Sequence, residues 1–574
     1  MKWRGPRIVK WEGSGPPSGS PKKAMGIFRP LLGSLYRNHF LFVKTQCHGR
    51  EVFFQINYDA RMSLFRPILP PPAQAHLSDE EYAKGRHWMV RFGIANSTME
   101  AIITGAMLTA LALQLGASNA AIGLILAVPH LMSLMQVPGV WLVEKNRERR
   151  QVAVWAAFVS RPGIVIMAMA ALIPSPNLAV GILMLGLCLR YGAGWIINCA
   201  WSSWIHDLVP DDVRGQYFGR RLALMTMATG ATTLLAGLWV DGWKAYVALP
   251  PTYGYVPLLL LAFASGLYGA YCLTQIPEPK MPPSEEGLDV ISLLREPFLK
   301  KNFRTVMIFL FTWNFAINLA VPFFTVHLLR SLGLSLTYVM LLTMVWQGVS
   351  VASMRVWGLL IDRYSNKAVF RLSGPIFVLA LMLWTLTDEW HQAGYAVFLL
   401  PILYGMIGLA IGGTTLASNN IIFKLAPKGK ATSYTASANL LIATATALAP
   451  ILGGLMADGL AVRSLTLTFH WNDPNVDTDI ANFVINHWDF FFLCAGVLAW
   501  IALQFVSTIH EPSRSSNEPA YRDVFQHLAS SIFGFSFVRH VQNWPYLLRR
   551  RQKYRALKQA RAMRDHMRDI SGVP

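Results

Sequence analysis

Long apolar runs separated by short polar segments fill most of this sequence. Six runs precede a charged segment at 276–303 and six follow it, at roughly 93–114, 119–143, 151–174, 179–204, 221–240, 254–275, 304–329, 336–361, 368–387, 392–418, 434–457 and 484–509. A helix needs about 20 apolar residues to cross the hydrocarbon layer. The pattern therefore predicts an all-α polytopic membrane protein with twelve transmembrane helices.

The two sets of six runs are copies of one another. At a fixed offset of 217 residues, the matches are Leu208 with Leu425, Pro210 with Pro427, Tyr217 with Tyr434, Gly237 with Gly454, Asp241 with Asp458, and Leu115–Ser118 with Leu332–Ser335. A register that holds across three separate stretches indicates two homologous halves in tandem. Each half is predicted to hold six helices.

Composition supports the membrane assignment and locates the charge. Hydrophobic residues make up 53% of the chain and charged residues 14%, against roughly 25% charged residues in soluble domains. The net charge of +20 lies mostly in the tails, where 1–90 carry 14 Lys/Arg and 6 Asp/Glu and 511–574 carry 12 and 5. Basic tails of this kind favour anionic lipid headgroups as a partner, so we expect no nucleic acid partner.

The basic residues of the loops predict an orientation. They concentrate after the even-numbered runs, whereas the loops on the opposite side hold Lys244, Arg330 and Arg463. Because cytoplasmic loops carry the excess of Lys and Arg, we expect both termini and the central connector in the cytoplasm. We expect the membrane to be a bacterial inner (plasma) membrane.

The predicted organisation has five parts. The first 90 residues are rich in Pro, Gly and bases and form a largely disordered cytoplasmic extension, unless Met62 is the true initiator. The halves cover 91–276 and 304–510, with a cytoplasmic connector at 277–303. In the basic tail at 511–574, residues 521–569 combine helical apolar spacing with dense bases, which fits a helix on the inner leaflet, a plain solvated helix or a disordered tail.

The ends of runs 2 and 8 carry a family signature. The first copy reads from Gly139 to Glu144-Lys145 and then Arg147-Glu-Arg149-Arg150, and the second reads from Gly358 to Asp362-Arg363 and then Lys367. Both resemble the loop between helices 2 and 3 of the major facilitator superfamily, and the resemblance covers about 90–510. The first copy departs from the pattern with Glu144 for Asp, Lys145 for Arg, and Asn146-Arg147 where a Gly is usual.

The resemblance implies a cytoplasmic gate. In this family, salt bridges from the loop to neighbouring helix ends stabilise the outward-open state. Its residues here would be Glu144, Arg149, Arg150, Asp207, Arg214, Asp362, Arg363, Lys367 and Lys424. The alternative for each base is ordinary anchoring at the cytoplasmic surface.

Ionisable and amide groups inside the runs are the candidate substrate or proton site, because such groups are costly in a membrane. They form a stripe at i, i+4 and i+8 in run 1, a pair at i and i+4 in run 7 and one base in run 4, namely Asn96, Glu100, Thr104, Asn314, Asn318 and Arg190. The resemblance places helices 1 and 7 beside a central cavity. It also matches Arg190-x-x-x-Gly194 to a motif linked to proton coupling. A structural hydrogen bond or ion pair is the alternative for Glu100 and Arg190, and Arg161 in run 3 is expected to pair or snorkel.

The motifs that are missing narrow the function. The chain has no GxxxxGK[ST] loop for ATP, no metal-binding cysteine pattern and no catalytic constellation, so we expect neither enzyme activity nor a cofactor or metal. The expected function is secondary active transport of a small solute by alternating access, with proton coupling as a hypothesis. The alternative is a transporter-like scaffold or ligand sensor without solute flux.

Overall fold

The computed structural model describes residues 40–47, 50–57, 73, 77–209, 211–281, 296–392, 394–427, 430–473 and 476–511. Within these residues, twelve helical spans are long and apolar enough to cross a membrane. They form the predicted six-plus-six arrangement, and the all-α polytopic fold is confirmed. The connector beyond 281 and the tail beyond 511 lie largely outside the described residues.

The spans are labelled α1–α12 in chain order, and three of those in the first half consist of two segments. The first half contains α1 (Asp79–Ile103 and Gly105–Gln114), α2 (Asn119–Leu131 and Gln136–Asn146), α3 (Arg149–Ser160 and Pro162–Ala170), α4 (Pro176–Leu208), α5 (Asp211–Tyr246) and α6 (Tyr255–Gln275). The second half contains α7 (Lys301–Val326), α8 (Leu336–Arg363), α9 (Asn366–Trp384), α10 (Ala396–Leu425), α11 (Ala431–Leu460) and α12 (His487–Thr508). A π-helical turn, His327–Ser331, extends α7, and a short helix, Thr387–Gln392, follows α9.

Helix α1 begins at Asp79, earlier than the predicted boundary of the first half at residue 91. The cause is a capping box. Ser78 Oγ accepts the N–H of Glu81 at 3.3 Å, and Glu81 Oε2 accepts the N–H of Ser78 at 2.8 Å. This reciprocal pair satisfies helix N–H groups that have no partner within the helix, and the Ser-x-x-Glu spacing was readable in the sequence.

Two antiparallel hairpins were not predicted. Strands β1 (Phe40–Cys47) and β2 (Arg50–Asn57) pair within the extension that was expected to be largely disordered. Strands β3 (Leu465–Asp473) and β4 (Val476–Ile485) pair in the loop between α11 and α12, with a register shift between Phe469 and His470. The alternation of Leu and Thr that begins β3 is a strand signal that the search for long apolar runs overlooked.

The two halves pack against each other at one end of the bundle, where α2 lies along α11 and α5 lies along α8. Asp458, near the end of α11, accepts hydrogen bonds from the backbone N–H groups of Asn119 at 3.1 Å and Ala120 at 2.8 Å. These N–H groups belong to the first turn of α2, which has no helical partners for them and carries the positive end of the helix dipole. One carboxylate of the second half thus caps a helix of the first.

The repeat produces the same contact in the opposite direction. Asp241, near the end of α5, accepts the N–H groups of Leu336 at 3.2 Å and Thr337 at 2.7 Å in the first turn of α8. The repeated glycines explain how the helices come so close. A Cβ at Gly237 would lie 3.1 Å from Thr337 Cα, and one at Gly454 would lie 2.8 Å from Ala120 Cα. We call this end, marked by Asp241 and Asp458, the closed end.

The halves diverge toward the other end, which we call the open end. Across the described residues, α4 makes no extensive contact with α10 or α11. Carboxylates cap helices at this end too, but they do so within one half. Glu278, just after α6, accepts the N–H groups of Arg149 at 2.6 Å and Arg150 at 3.1 Å at the start of α3.

The second half repeats this contact with Glu511, just after α12. Its carboxylate accepts the N–H groups of Asn366 at 3.2 Å and Lys367 at 2.9 Å at the start of α9. Lys424 Nζ, at the end of α10, donates to the same carboxylate at 2.8 Å. Each half therefore has its own helices joined at the open end, and the closed end joins the halves to one another.

Replacing Asp241 or Asp458 with Asn should loosen the closed end. An amide oxygen accepts less strongly than a carboxylate and carries no charge toward the helix dipole, so we expect each variant to destabilise the contact by about 1–2 kcal/mol. Spin labels at the exposed positions 244 and 463, in a cysteine-free background, report the separation of the halves. Pulsed electron resonance should show a longer-distance population in both variants. The Asp79→Asn control, exposed at the start of α1, should match the parent, and unchanged distances in all three would contradict the role of the caps.

Candidate functional site

A cavity of about 330 Å³ lies within the first half. It is lined by residues of α1, α3, α4 and α5, namely Phe92, Gly93, Asn96, Glu100, Arg161, Arg190, Tyr191, Gly194, Trp195, Ile197, Asn198, Trp201, Arg221 and Met225. The volume is at the lower end of the range for small-molecule sites, and such sites combine apolar walls with a few placed polar groups. The cavity is the candidate solute site.

The cavity contains an ion pair between Arg190 and Glu100, in which the guanidinium donates to Glu100 Oε1. Tyr191 Oη donates to the other carboxylate oxygen at 3.2 Å. The Arg190 side chain is 5% exposed and the Glu100 side chain 29%. The carboxylate is therefore held by two donors of α4 while part of it stays accessible from the cavity.

Glycine at position 194 allows the Arg190 side chain to lie along its own helix. A Cβ at Gly194 would lie 2.6 Å from Arg190 Nη1, so a larger residue would displace the guanidinium. On the other side, a Cβ at Gly163 would lie 2.8 Å from the Arg190 backbone nitrogen, because α3 and α4 approach closely there. The Arg-x-x-x-Gly spacing thus has a steric basis in this chain.

The predicted stripe on α1 divides in two. Asn96 and Glu100 line the cavity, whereas Thr104 does not. The helix breaks at Thr104, where the backbone is extended (φ −129°, ψ 174°), and Gly105 takes a φ of +58° that favours glycine. Thr104 Oγ1 donates to the Glu100 carbonyl at 2.9 Å, so its hydroxyl closes the last turn of the helix.

Two further arginines reach the cavity. Arg161 is 1% exposed and donates from Nε to the Gly266 carbonyl at 3.0 Å and from Nη1 to Ser160 Oγ at 2.9 Å. Its position shows that it neither snorkels nor forms an ion pair among the described residues. Arg221 lies with its guanidinium carbon 5.4 Å from the ring centroid of Trp201.

Sequence reasoning missed Arg221 and the aromatic residues of the cavity. Arg221 follows Arg220 at the start of an apolar run, a pattern that predicts a surface anchor. Trp195 and Trp201 lie within an apolar run, where aromatic residues do not stand out as ligand-binding groups. A helical projection of α4 could have found them, because Tyr191, Trp195 and Asn198 recur at spacings of four and three.

The polar residues predicted on α7 lie apart from this cavity. Asn314 Nδ2 donates to the Leu310 carbonyl at 2.7 Å, and Asn318 Nδ2 donates to the Asn314 carbonyl at 2.8 Å. Both amides therefore bond to the backbone of their own helix, and neither residue lines the cavity that contains Glu100. The cavity thus contains polar residues of α1 and none of the pair predicted on α7.

Four of the predicted gate residues make contacts inside their own half. Arg149 and Arg150 are 1% and 4% exposed, and Arg149 Nε lies 3.4 Å from Glu278 Oε1. Lys424 bonds to Glu511, and Lys367 Nζ donates to the carbonyls of Ser507 at 2.6 Å and Ile509 at 3.0 Å. The acids Glu278 and Glu511 were not among the predicted residues.

The other gate residues lie at the open end or outside the description. Glu144 forms a half-exposed pair with Arg147 at 3.6 Å, and Arg147 has a φ of +57° at the position where the family usually has Gly. Asp362 and Arg363 are exposed. The side chains of Asp207 and Arg214 lie outside the described residues, so the contacts predicted for them stay a prediction.

The two Glu caps differ in acidity. Burial raises the pKa of Glu278 above its ordinary value, and the donors on Arg149 and Arg150 offset this only in part. Burial also acts to raise the pKa of Glu511, but hydrogen bonds from Lys424, Lys367 and Asn366 outweigh it and lower the pKa below its ordinary value. The cap in the second half therefore keeps its charge to lower pH.

Among the described residues, no group of three or more His, Cys, Asp and Glu side chains is arranged to hold a metal ion. The chemistry of the cavity thus rests on guanidinium, carboxylate, phenol and amide groups. Such groups can donate hydrogen bonds to a polar solute and accept hydrogen bonds from it.

The comparisons with known proteins agree with this architecture. A family model described as Major Facilitator Superfamily matches residues 92–450 and 319–554. No curated protein matches the sequence. The fold is similar to that of the nucleoside transporter NupG, with a TM-score of 0.55 and 13% identity over 74% of this chain and 98% of that one.

Two further solved structures share the fold. A D-xylose–proton symporter has a TM-score of 0.54 and 14% identity over 74% of this chain and 97% of that one. A bacterial homologue of the iron transporter ferroportin in an inward-facing state has a TM-score of 0.53 and 10% identity over 76% and 99%. At these identities the structures show a shared fold.

The difference in pKa between Glu278 and Glu511 should change how the stability of each variant depends on pH. A carboxylate whose pKa is lowered by folding stabilises the protein above the ordinary pKa of 4.5 and loses this effect as pH falls through the lowered value. At pH 7 we expect Glu511→Gln to be less stable than the parent by about 1–3 kcal/mol. The gap in thermal midpoint in detergent should persist down to about pH 4.5 and shrink below it.

Glu278→Gln and Glu144→Gln provide the comparison. Because folding raises the pKa of Glu278, the native parent binds this proton at a higher pH than the unfolded chain does, so its stability relative to Glu278→Gln should increase as pH falls toward 4.5, the opposite direction to Glu511. Glu144 is half-exposed and its pair with Arg147 is on the surface, so Glu144→Gln should have the thermal midpoint of the parent at pH 7. Identical pH profiles for Glu511→Gln and Glu144→Gln would show that the Glu511 cap does not stabilise the fold.

Proposed function

Because the chain belongs to the major facilitator superfamily, we propose that it moves a small solute by alternating access and that the first-half cavity binds this solute. The chain is a secondary transporter, since that is how this family works and how the fold is used in its structural neighbours. The proposal adds the site and the coupling. Both rest on one observation, the Glu100–Arg190 ion pair inside a cavity of about 330 Å³.

The pair supports a mechanism in which the solute competes with Glu100 for Arg190 and so couples its own binding to protonation of Glu100. In the empty site, Arg190 neutralises Glu100, and Tyr191 donates to the same carboxylate. A solute that binds Arg190 removes this partner from Glu100. A partly buried carboxylate without a counter-charge binds a proton more readily, so solute binding and proton uptake at Glu100 favour one another.

The closed end must open for the solute to reach both sides of the membrane. Asp241 then separates from α8 and Asp458 from α2, and the two halves come together at the open end. The distribution of Lys and Arg among the loops supports a cytoplasmic location for the open end and for both termini. The structure would then be the inward-facing state.

The membrane and the tails complete the proposal. A bacterial inner membrane, with anionic lipid headgroups at residues 1–90 and 511–574, fits the basic charge of these segments. Most residues of these segments lie outside the described part of the chain, so the support is their composition.

Neutralising Glu100 should uncouple transport from the proton gradient. Proteoliposomes containing the parent should concentrate a solute found by thermal-shift screening when a pH gradient is imposed. Glu100→Gln should still exchange that solute across the membrane but should neither concentrate it nor respond to pH, because position 100 no longer carries an exchangeable proton.

Glu80→Gln, exposed in the first turn of α1, is the matched control and should behave as the parent. Concentrative, pH-dependent uptake by Glu100→Gln would overturn the proton role of Glu100. If the parent binds the solute and exchanges none of it, the protein is a sensor and the transport proposal fails.

A further inference from the structure

The cavity has more positive than negative charge. Its ionisable lining consists of Arg161, Arg190 and Arg221 against the single carboxylate of Glu100. We propose that the transported solute is a small organic oxyanion with a flat apolar body, bound at its charged end by Arg190 and Arg221. This inference rests on the proposed function, because it assigns a substrate class to the same cavity.

No second carboxylate neutralises the surplus positive charge among the described residues. Glu100 pairs with Arg190, and neither Arg161 nor Arg221 forms an ion pair with a described carboxylate. Arg190 Nε is buried and has no hydrogen-bond partner. Within a membrane, uncompensated guanidinium charge is costly, and an anion in the cavity would supply both the missing charge and the missing acceptor.

The repeat shows that these charges are not required by the fold. At the offset of 217 residues, Glu100 aligns with Ile317, and the three arginines align with apolar residues, namely Arg161 with Val378, Arg190 with Ile407, and Arg221 with Ala438. The second half forms the same six-helix architecture with apolar residues at these places. The arginines therefore have a role that is specific to the first half, and ligand binding is such a role.

Arg221 is shaped to bind a planar oxyanion. Its guanidinium faces Trp201, and its Nε makes only a long contact of 3.5 Å with the Met89 carbonyl. A Cβ at Gly93 would lie 3.2 Å from both Nε and Nη2 of Arg221, so this glycine leaves room for the flat group. Arginine presents a rigid fork of donors that matches carboxylate and phosphate oxygens.

The rest of the wall suits an apolar ring. Phe92 and Trp201 lie beside one another, with ring centroids 4.7 Å apart. Trp195 donates its Nε1–H to the Pro129 carbonyl at 2.8 Å, so its orientation is fixed and its only donor is used. Aromatic faces next to a guanidinium form a site for an anionic group attached to a flat body.

Matched probes test the charge requirement on the full-length protein in detergent. Benzoate and phenyl phosphate carry an oxyanion on an aromatic ring, benzamide is neutral, and benzylamine is a cation. Quenching of tryptophan fluorescence, with thermal shift as a second readout, should report binding of at least one oxyanion and no binding of benzamide or benzylamine. The stronger oxyanion identifies carboxylate or phosphate as the preferred group.

Variants of neighbouring arginines locate the site. Arg221→Gln should weaken binding of the preferred oxyanion about tenfold or more, the usual effect of losing a hydrogen bond to a charged group. Arg221→Lys keeps the charge without the fork and should fall between Arg221→Gln and the parent. Arg220→Gln, exposed on the same helix and outside the cavity, should bind like the parent. Unliganded thermal midpoints show whether each variant is folded.

The outcomes separate this proposal from the proposed function. Three outcomes would overturn the oxyanion assignment. They are binding of benzamide or benzylamine in place of both oxyanions, no oxyanion binding at all, and an equal loss of oxyanion affinity in Arg220→Gln and Arg221→Gln. Exchange of a neutral or cationic compound in proteoliposomes would also overturn the oxyanion assignment, but the proposal that the protein is a transporter would stand. Oxyanion binding without exchange of the bound probe would support the site and contradict transport through it.

Discussion

One contact recurs at four places in this bundle, namely a carboxylate that accepts two consecutive backbone N–H groups at the start of another helix. Asp241 and Asp458 make it between the halves, and Glu278 and Glu511 make it within them. A helix start in a membrane has N–H groups without partners, and no water reaches a buried one. The carboxylate satisfies these groups and opposes the helix dipole in one step, so the position of each capped helix depends on the residue that caps it.

The placement of these contacts separates what stays rigid from what moves. The Glu caps tie α3 to the end of α6 and α9 to the end of α12, with further bonds from Arg149 and Lys424, so each half is fixed at the open end. Among the described contacts, the Asp caps accept only backbone N–H groups of the other half. Hydrogen bonds to backbone N–H groups can be exchanged for bonds to water when the closed end opens, so this joint can separate without leaving a buried charge unpaired.

Sequence reasoning recovers the architecture because the length of the apolar runs and the internal repeat can both be read without knowledge of tertiary contacts. It finds Glu100 and Arg190 because ionisable residues stand out in apolar runs. It misses Glu278 and Glu511 although Ile-x-Glu-Pro occurs at both places, since the hairpin loop after α11 shifts their offset from 217 to 233 residues. It does not reveal the burial of Arg149 against Glu278, because a loop base has the same sequence pattern whether it faces water or is 1% exposed beside a carboxylate.

The confinement of the charged wall to one half has a consequence for how cargo would travel. Glu100, Arg190 and Arg221 all belong to α1, α4 and α5, and their counterparts in the second half are apolar. A solute bound to them would stay attached to the first half and keep its ionic contacts throughout the conformational change. The apolar surface of the second half would close the site from alternate sides of the membrane. One repeat of the duplicated protein would then bind the solute, and the other would occlude it.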